Sequence, residues 1–196
     1  HTYADNGTYT VNVTVEDDDG GSTNDAFDVT VNNVAPTIES TTSSKTVDEG
    51  QELSIADIVT FSDPAYADTN LGNTKSFTYV IDWDDGNTDT GDADIDTAGS
   101  AGTATQGSLD GTHTYADDGT GTYTVTVTVE DDDGGTTNTT FDVTVNDVVA
   151  TVTASDVFGP EETELTLTAN GDDQGSGETL EYKFVDISDN SVLKDW

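Results

Sequence analysis

Apolar and polar residues alternate along most of this chain. Val125, Val127 and Val129 are separated by Thr124, Thr126 and Thr128. A period of two places the valines on one side and the threonines on the other, as in a strand half-buried in a sheet. The text around it occurs twice: residues 7–21 read GTYTVNVTVEDDDGG and residues 121–135 read GTYTVTVTVEDDDGG. Each copy runs from the strand into three aspartates and two glycines. Adjacent carboxylates on a tight turn repel one another unless a cation holds them or water screens them.

The repeat sets the organisation. HTYAD recurs at His1–Asp5 and His113–Asp117, and FDVTVN at Phe27–Asn32 and Phe141–Asn146. The spacing of roughly 112–114 residues is domain-sized rather than solenoid-sized. The pattern predicts an all-β chain of tandem Ig-like antiparallel β-sandwiches, the first and last incomplete. Residues 1–33 read as the C-terminal hairpin of one domain, 34–147 as a complete sandwich, and 148–196 as the N-terminal half of another. His1 lies inside a repeat, so the chain reads as a piece of a longer protein. Residues 150–196 joined to 1–33 would make about 80 residues, a normal small domain. The expectation is one period of a two-domain repeat in a fibre, with the ends completed by an identical neighbour.

Taken in order, Tyr9, Val11, Val13 and Val15 form a strand, Asp17–Gly21 a turn, and Phe27, Val29 and Val31 the returning strand. Asn32 to Pro36 is a linker. Thr37–Ser40 and Lys45–Val47 read as a split first strand, followed by an Asp48–Gly50 turn. Ile55, Ile58 and Val59 fit i, i+3, i+4, but a helix over Ser54–Thr60 is too short, and a strand with a bulge is preferred. Ser62–Lys75 is a loop. Phe77, Tyr79, Ile81 and Trp83 face inward, ahead of an Asp84–Asn87 turn. Thr88–Asp96 reads as one polar edge strand, Ala98–Gly107 as a small-residue loop, and Leu109–Tyr115 as a strand before the Ala116–Gly121 corner. About seven strands result, the number of an Ig-type sandwich. In the last segment Val152 opens the domain, Gly159–Glu162 turns, Leu165 and Leu167 alternate, Asn170–Glu178 is an acidic glycine loop, and Leu180, Tyr182 and Phe184 alternate as a third strand before a chain stop at Trp196.

Charge changes the picture most. The chain has 41 acidic and 4 basic residues, a net charge of −37. Binding phosphates needs basic groups, so nucleic acid and anionic membranes are excluded as direct partners. No apolar run is long enough to insert in a membrane. There is no cysteine, which removes disulfides and thiol chemistry. Self-repulsion at this density destabilises a compact state. Bound divalent cations or a very salty habitat would relieve it, whereas solubility alone needs only a modest charge.

Asp82-Trp83-Asp84-Asp85-Gly86, then His113-Thr114-Tyr115, Gly121–Val127 and Asp131–Gly135, together resemble the PKD (polycystic kidney disease) domain family. The turn departs from that family's usual Gly-Asp-Gly, with Asp84-Asp85-Gly86 in its place. The last segment is loosely cadherin- or Ig-like. The resemblance implies a sandwich used in tandem in large bacterial surface and secreted proteins, with calcium at domain junctions in some members.

Candidate ligands follow from which loops share a pole of a sandwich. At one junction these are Asn32, Asn33, Asp63, Asp131, Asp132 and Asp133. At the next they are Asn146, Asp147, Asp172 and Asp173, with Glu162 as an addition. Asp17, Asp18 and Asp19 lie at the far end. Carboxylates with amide and backbone carbonyl oxygens are the ligands of Ca2+, which takes about six to eight of them. The competing reading is a set of solvated acidic turns. Asp82–Gly86 lacks the spacing and closing Glu of an EF-hand. Asp92, Asp94 and Asp96 read as protective charges on an edge strand. His1 and His113, one per repeat, are poor metal or catalytic residues and suit hydrogen bonding at a strand end. Tyr9 and Tyr123 have tyrosine-corner spacing, and Trp83 reads as the core aromatic rather than a sugar platform. Asn6, Asn12 and Asn138 start N-x-Thr sequons.

The function expected is therefore mechanical. The chain reads as a structural, calcium-binding repeat segment of an extracellular bacterial surface protein or filament, stiffened by Ca2+ at its linkers. Its partners are other repeats of the same protein, identical chains in a fibre, or a polysaccharide or cell-surface ligand. No nucleophile–base pair argues for an enzyme. Two alternatives stand beside this reading: a carbohydrate or adhesion accessory module of a secreted protein, and a halophile scaffold whose acidity serves solvation only.

Overall fold

β-Branched valine and threonine favour extended backbone, and every regular element among the described residues is a strand. The structure, a computed structural model, describes residues 1–196 except 69–71, 73, 176–178, 187, 189–190 and 195–196. Parts of the expected loops Ser62–Lys75 and Asn170–Glu178, and the expected stop at Trp196, lie outside the described residues. The strands are β1 Gly7–Glu16, β2 Ser22–Val31, β3 Thr37–Thr41, β4 Lys45–Asp48, β5 Glu52–Asp63, β6 Phe77–Asp82, β7 Thr88–Asp92, β8 Asp94–Thr97, β9 Thr105–Thr114, β10 Thr122–Asp131 and β11 Thr136–Asn146, then β12 Thr151–Ala154, β13 Ala169–Asp172, β14 Phe184–Asp186 and β15 Ser191–Lys194. They fall into two compact units.

The first unit comprises His1–Ser44, Ser54–Thr112 and Thr124–Asp142. It contains the β1–β2 hairpin, in register from Gly7 opposite Val31 to Glu16 opposite Ser22. It also contains a sheet of order β3-β5-β9-β8, and most of a second sheet in which β11, β10, β6 and β7 are successive neighbours. The two sheets meet through Phe61 and Phe77, whose rings are 4.9 Å apart, edge to face. At the centre Ile58, Val59, Ile81, Trp83, Val125, Val127 and Val129 have no exposed surface. Gly111 permits this closeness: a Cβ there would stand 3.1 Å from Ile58, 3.2 Å from Ile81 and 3.3 Å from Trp83.

β5 is a strand with a phase change, as its pattern predicts. Leu53 and Ile55 are buried, and then Ile58, Val59 and Phe61. The change falls at Asp57, which has φ 48° and donates its backbone N–H to Asp110 Oδ1 at 2.8 Å. The expected edge strand Thr88–Asp96 is instead two strands in two sheets. β7 pairs with β6 and β8 with β9, crossing over at Ala93. The run's large apolar residue, Ile95, is 42% exposed, so burial does not hold the run to one face. Asp92, Asp94 and Asp96 therefore do not share one strand, and Asp96 accepts a bond from Ser108 Oγ at 3.1 Å. β9 also starts earlier than expected, at Thr105, whose Oγ1 donates to the Ala65 carbonyl at 2.7 Å.

The second unit comprises Lys45–Leu53, His113–Tyr123 and Val143–Trp196. Here β4 lies parallel to the end of β11, with Val143 opposite Lys45 and Asn146 opposite Asp48. The antiparallel pattern expected throughout thus has a parallel exception among the described strands. It arises because the split first strand leaves the β3 sheet and meets the last strand running in the same direction. Tyr115, Val143 and Val145 are buried. In the C-terminal segment β12 pairs with β13 and β14 with β15, both antiparallel. Leu165 and Leu167 lie outside strands and are 45% and 44% exposed. Leu180 and Tyr182, expected in one strand with Phe184, also lie outside strands, and β14 starts only at Phe184, because their side chains pack over Gly171 of β13. Asn170–Asp172, expected as loop, is strand. Gly171 explains this: it has no Cβ to block Leu180 and Tyr182, and its N–H donates to Tyr182 Oη at 2.8 Å.

Candidate metal centres

The repeated Asp-Asp-Asp-Gly-Gly turn divides its three carboxylates by role. Asp131, 6% exposed, accepts the backbone N–H groups of Asp133 (3.0 Å) and Gly135 (2.7 Å) on Oδ1. Asp17 does the same for Asp19 (3.1 Å) and Gly21 (2.7 Å). Gly134 (φ 85°) and Gly20 (φ 84°) supply the left-handed step that the turn requires. The first aspartate of each triplet is thus used to fold the turn.

In the first unit this turn meets the linker. Asn33 Nδ2 donates to both carboxylate oxygens of Asp131, at 3.1 and 2.9 Å. Asn32 lines a small cavity beside it with Val34, Pro64 and Ala65. Asp132 and Asp133 join Asp5 to form a cluster whose ligand oxygens lie within 4.8 Å of one another. Lys75 Nζ lies among them, 2.6 Å from Asp5, 2.9 Å from Asp132 and 3.2 Å from Asp133. Burial works against the lysine's charge, but these three hydrogen bonds outweigh it and hold its pKa above the ordinary value. Asp63, 1% exposed, accepts the Ala65 N–H at 2.7 Å on Oδ1, while its buried Oδ2 has no partner. Burial pushes the Asp63 carboxyl pKa up, with the charges of Asp131 and Asp132 adding to the rise.

A second cluster lies in the second unit and consists of Glu49, Asp117 and Asp118. Glu49 has no exposed surface. Its Oε2 accepts the Asp118 N–H at 3.2 Å and its Oε1 the Val148 N–H at 2.8 Å. Glu49 donates its own N–H to the Asn146 carbonyl at 3.1 Å, and Asn146 Nδ2 donates to Asp48 Oδ1 at 2.9 Å. The linker Asn146–Val148 is thus tied to the Asp48–Gly50 turn. Desolvation raises the Asp118 pKa, as do its neighbours Asp117, Glu49 and Asp147. Asp173 Oδ1 accepts the Gly175 N–H at 3.4 Å, and Gly175 lies against the Glu49 carboxylate. Asp172 closes β13.

Of the residues expected from sequence, Asn33, Asp63 and Asp131–Asp133 gather in the first unit, and Asn146, Asp147 and Asp173 lie around the second cluster. Asp17–Asp19 sit exposed on the hairpin turn, in neither cluster. Sequence reasoning missed Asp5, Lys75, Glu49, Asp117 and Asp118. The signal for Asp5 and Asp117 was present, since both end the repeated HTYAD motif. Both tyrosine corners form: Tyr9 Oη donates to the Asp5 carbonyl at 2.8 Å and Tyr123 Oη to the Asp117 carbonyl at 3.2 Å. His113 packs edge-on against Tyr115, which stacks on Tyr123, and His1, Tyr3 and Tyr9 repeat the arrangement. Trp83 is wholly buried.

Residues 1–31 match the PKD domain model. The PKD-type, Ig-like assignment read from the repeat stands on that segment, and residues 113–145 carry the same PKD-type text. No curated protein matches the chain. Among solved structures, protocadherin gamma B2 extracellular cadherin domains 1–5 is similar at 18% identity and a TM-score of 0.32. The alignment covers 87% of this chain and 33% of that one. A likeness at that level carries no weight for function. No helix among the described residues is long and apolar enough to cross a membrane, which says nothing of strands.

The ligand atoms of both clusters are carboxylate oxygens. That set fits a hard cation such as Ca2+ and not a thiophilic metal.

Proposed function

We propose that this chain is a structural, calcium-binding segment of tandem PKD-type repeats in an extracellular bacterial surface protein or filament. The observation that carries the reading is Glu49, wholly buried with Asp117 and Asp118 beside it. A buried carboxylate that faces further carboxylates is costly unless a cation pairs with it. Glu49 also holds the Val148 and Asp118 backbone N–H groups. A divalent ion on Glu49, Asp117 and Asp118 would offset most of their charge and fix the Asn146–Val148 linker, with Asp147 and Asp173 as further donors. Without it, repulsion loosens the linker. The function is then to set the stiffness of a chain of repeats.

Burial of Trp83, whose Nε1 donates to Asp89 Oδ2, weighs against its use as a sugar-stacking platform. Thermal melting of the wild type and Glu49→Gln in EDTA, in EDTA with high NaCl, and in CaCl2 tests the reading. Calcium should raise the wild-type midpoint well beyond NaCl and leave Glu49→Gln near its EDTA value. If NaCl stabilises the wild type as much as calcium does, the acidity serves solvation and the reading fails.

A further inference from the structure

Each of the two acidic clusters contains the aspartate that closes HTYAD, Asp5 in one and Asp117 in the other. Their counter-charges differ. We propose that Lys75 is the resident cation of the Asp5–Asp132–Asp133 cluster, so that this cluster is held without metal whereas the Glu49 cluster requires calcium. The inference deepens the calcium reading and rests on it for the contrast between the two clusters.

The geometry is that of a filled site. An ammonium group has three donors and no acceptor. Each donor of Lys75 has a carboxylate of its own, at 2.6, 2.9 and 3.2 Å, and the side chain is 3% exposed. Calcium binds oxygen at about 2.3–2.6 Å. An ion bridging Asp5, Asp132 and Asp133 would therefore occupy the place of Nζ, and the two exclude each other. A tethered ammonium also pays no translational cost on binding, which favours it over a free ion. Placement matters because the whole chain has only 4 basic residues. Asp63 supplies an independent sign that this pocket suits a cation. Its buried Oδ2 has no partner and lies within the field of Lys75, Asp131 and Asp132. The consequence is a chain with two kinds of linker, one fixed by Lys75 at any calcium level and one that stiffens only when calcium is present.

Calorimetric titration of the full chain with CaCl2, together with melting in EDTA, tests this. Lys75→Met should bind one more calcium per chain than the wild type. Its melting point in EDTA should fall below that of the wild type and be recovered by CaCl2 but not by NaCl. In the wild-type background, Asp132→Asn with Asp133→Asn should leave the calcium stoichiometry unchanged. The proposal is overturned if Lys75→Met gains no site, or if the aspartate pair exchange removes a calcium from the wild type. If Lys75→Met does not fold, the aspartate pair exchange decides alone. A wild type that binds no calcium while Lys75→Met binds one would sink the proposed function yet uphold the role of Lys75.

Discussion

Trp83 Nε1 donates to Asp89 Oδ2 at 2.7 Å, which joins a fully buried indole to the edge strand β7. The bond explains why a polar strand holds its place beside β6. A hydrogen bond to a charged acceptor contributes roughly 1.5–3 kcal/mol. Asp89→Leu should cost about that amount in urea unfolding, and Asp89→Asn, which keeps an acceptor oxygen, clearly less. A double-mutant cycle with Trp83→Phe should show coupling between the two sites. Additive losses would mean that the bond does not hold β7.

Gly107 has no room for a side chain. A Cβ there would lie 2.4 Å from the Asp94 carbonyl oxygen and 2.5 Å from the Phe61 ring. Gly107→Ala must push β8 or Phe61 outward, an overpacking cost of about 1–3 kcal/mol. The same change at Gly102, where nothing lies within 4 Å but φ is +82°, costs only the backbone strain of a left-handed alanine, about 1 kcal/mol. Chemical denaturation of both variants should rank them in that order.

The acid limb of stability should run opposite to the usual direction for Asp63 and Asp118. Both have folded pKa values above the ordinary 3.8. The folded state then holds more protons than the unfolded state over that window, so stability is highest below 3.8 and is lost as pH rises through the raised values. In EDTA, Asp63→Asn should melt with the wild type below pH 3.8 and above it at neutral pH. Calcium should flatten the Asp118 part of the slope. Lys75 acts at the other end. Its raised pKa contributes stability that is present below 10.5 and is lost as pH climbs past its folded value. Lys75→Met should remove that alkaline limb.

Tyr123→Phe removes the corner bond to the Asp117 carbonyl. A cost of about 0.5–1.5 kcal/mol is expected. Because Asp117 belongs to the Glu49 cluster, calcium affinity should weaken with it. An unchanged affinity would separate the corner from the metal centre.

The alternation of valine with threonine and the doubled text determined the strands, the hairpin, the inward row Phe77–Trp83 and the tyrosine corners, because a period of two assigns every side chain to one face. The same alternation could not say whether a face would be covered. Leu165 and Leu167 obey it and remain outside strands, while Asn170–Asp172, with no apolar pattern, forms one because Gly171 leaves space for Tyr182. Nor could it hold Thr88–Asp96 to a single sheet, since Ile95, the large apolar residue of that run, is left half exposed and fixes it to neither face. For the candidate centres, the sequence determined that acidic loops gather at the ends of the strands, and their oxygen-only chemistry. Which carboxylates meet was decided by tertiary structure alone. Asp131 turned out to be bound by its own turn, Glu49 was carried to the linker by the parallel pairing of β4 with β11, and Lys75, distant in sequence from both Asp5 and Asp132, was brought within hydrogen-bond reach of each. Such meetings depend on how loops close in space, which no local periodicity encodes.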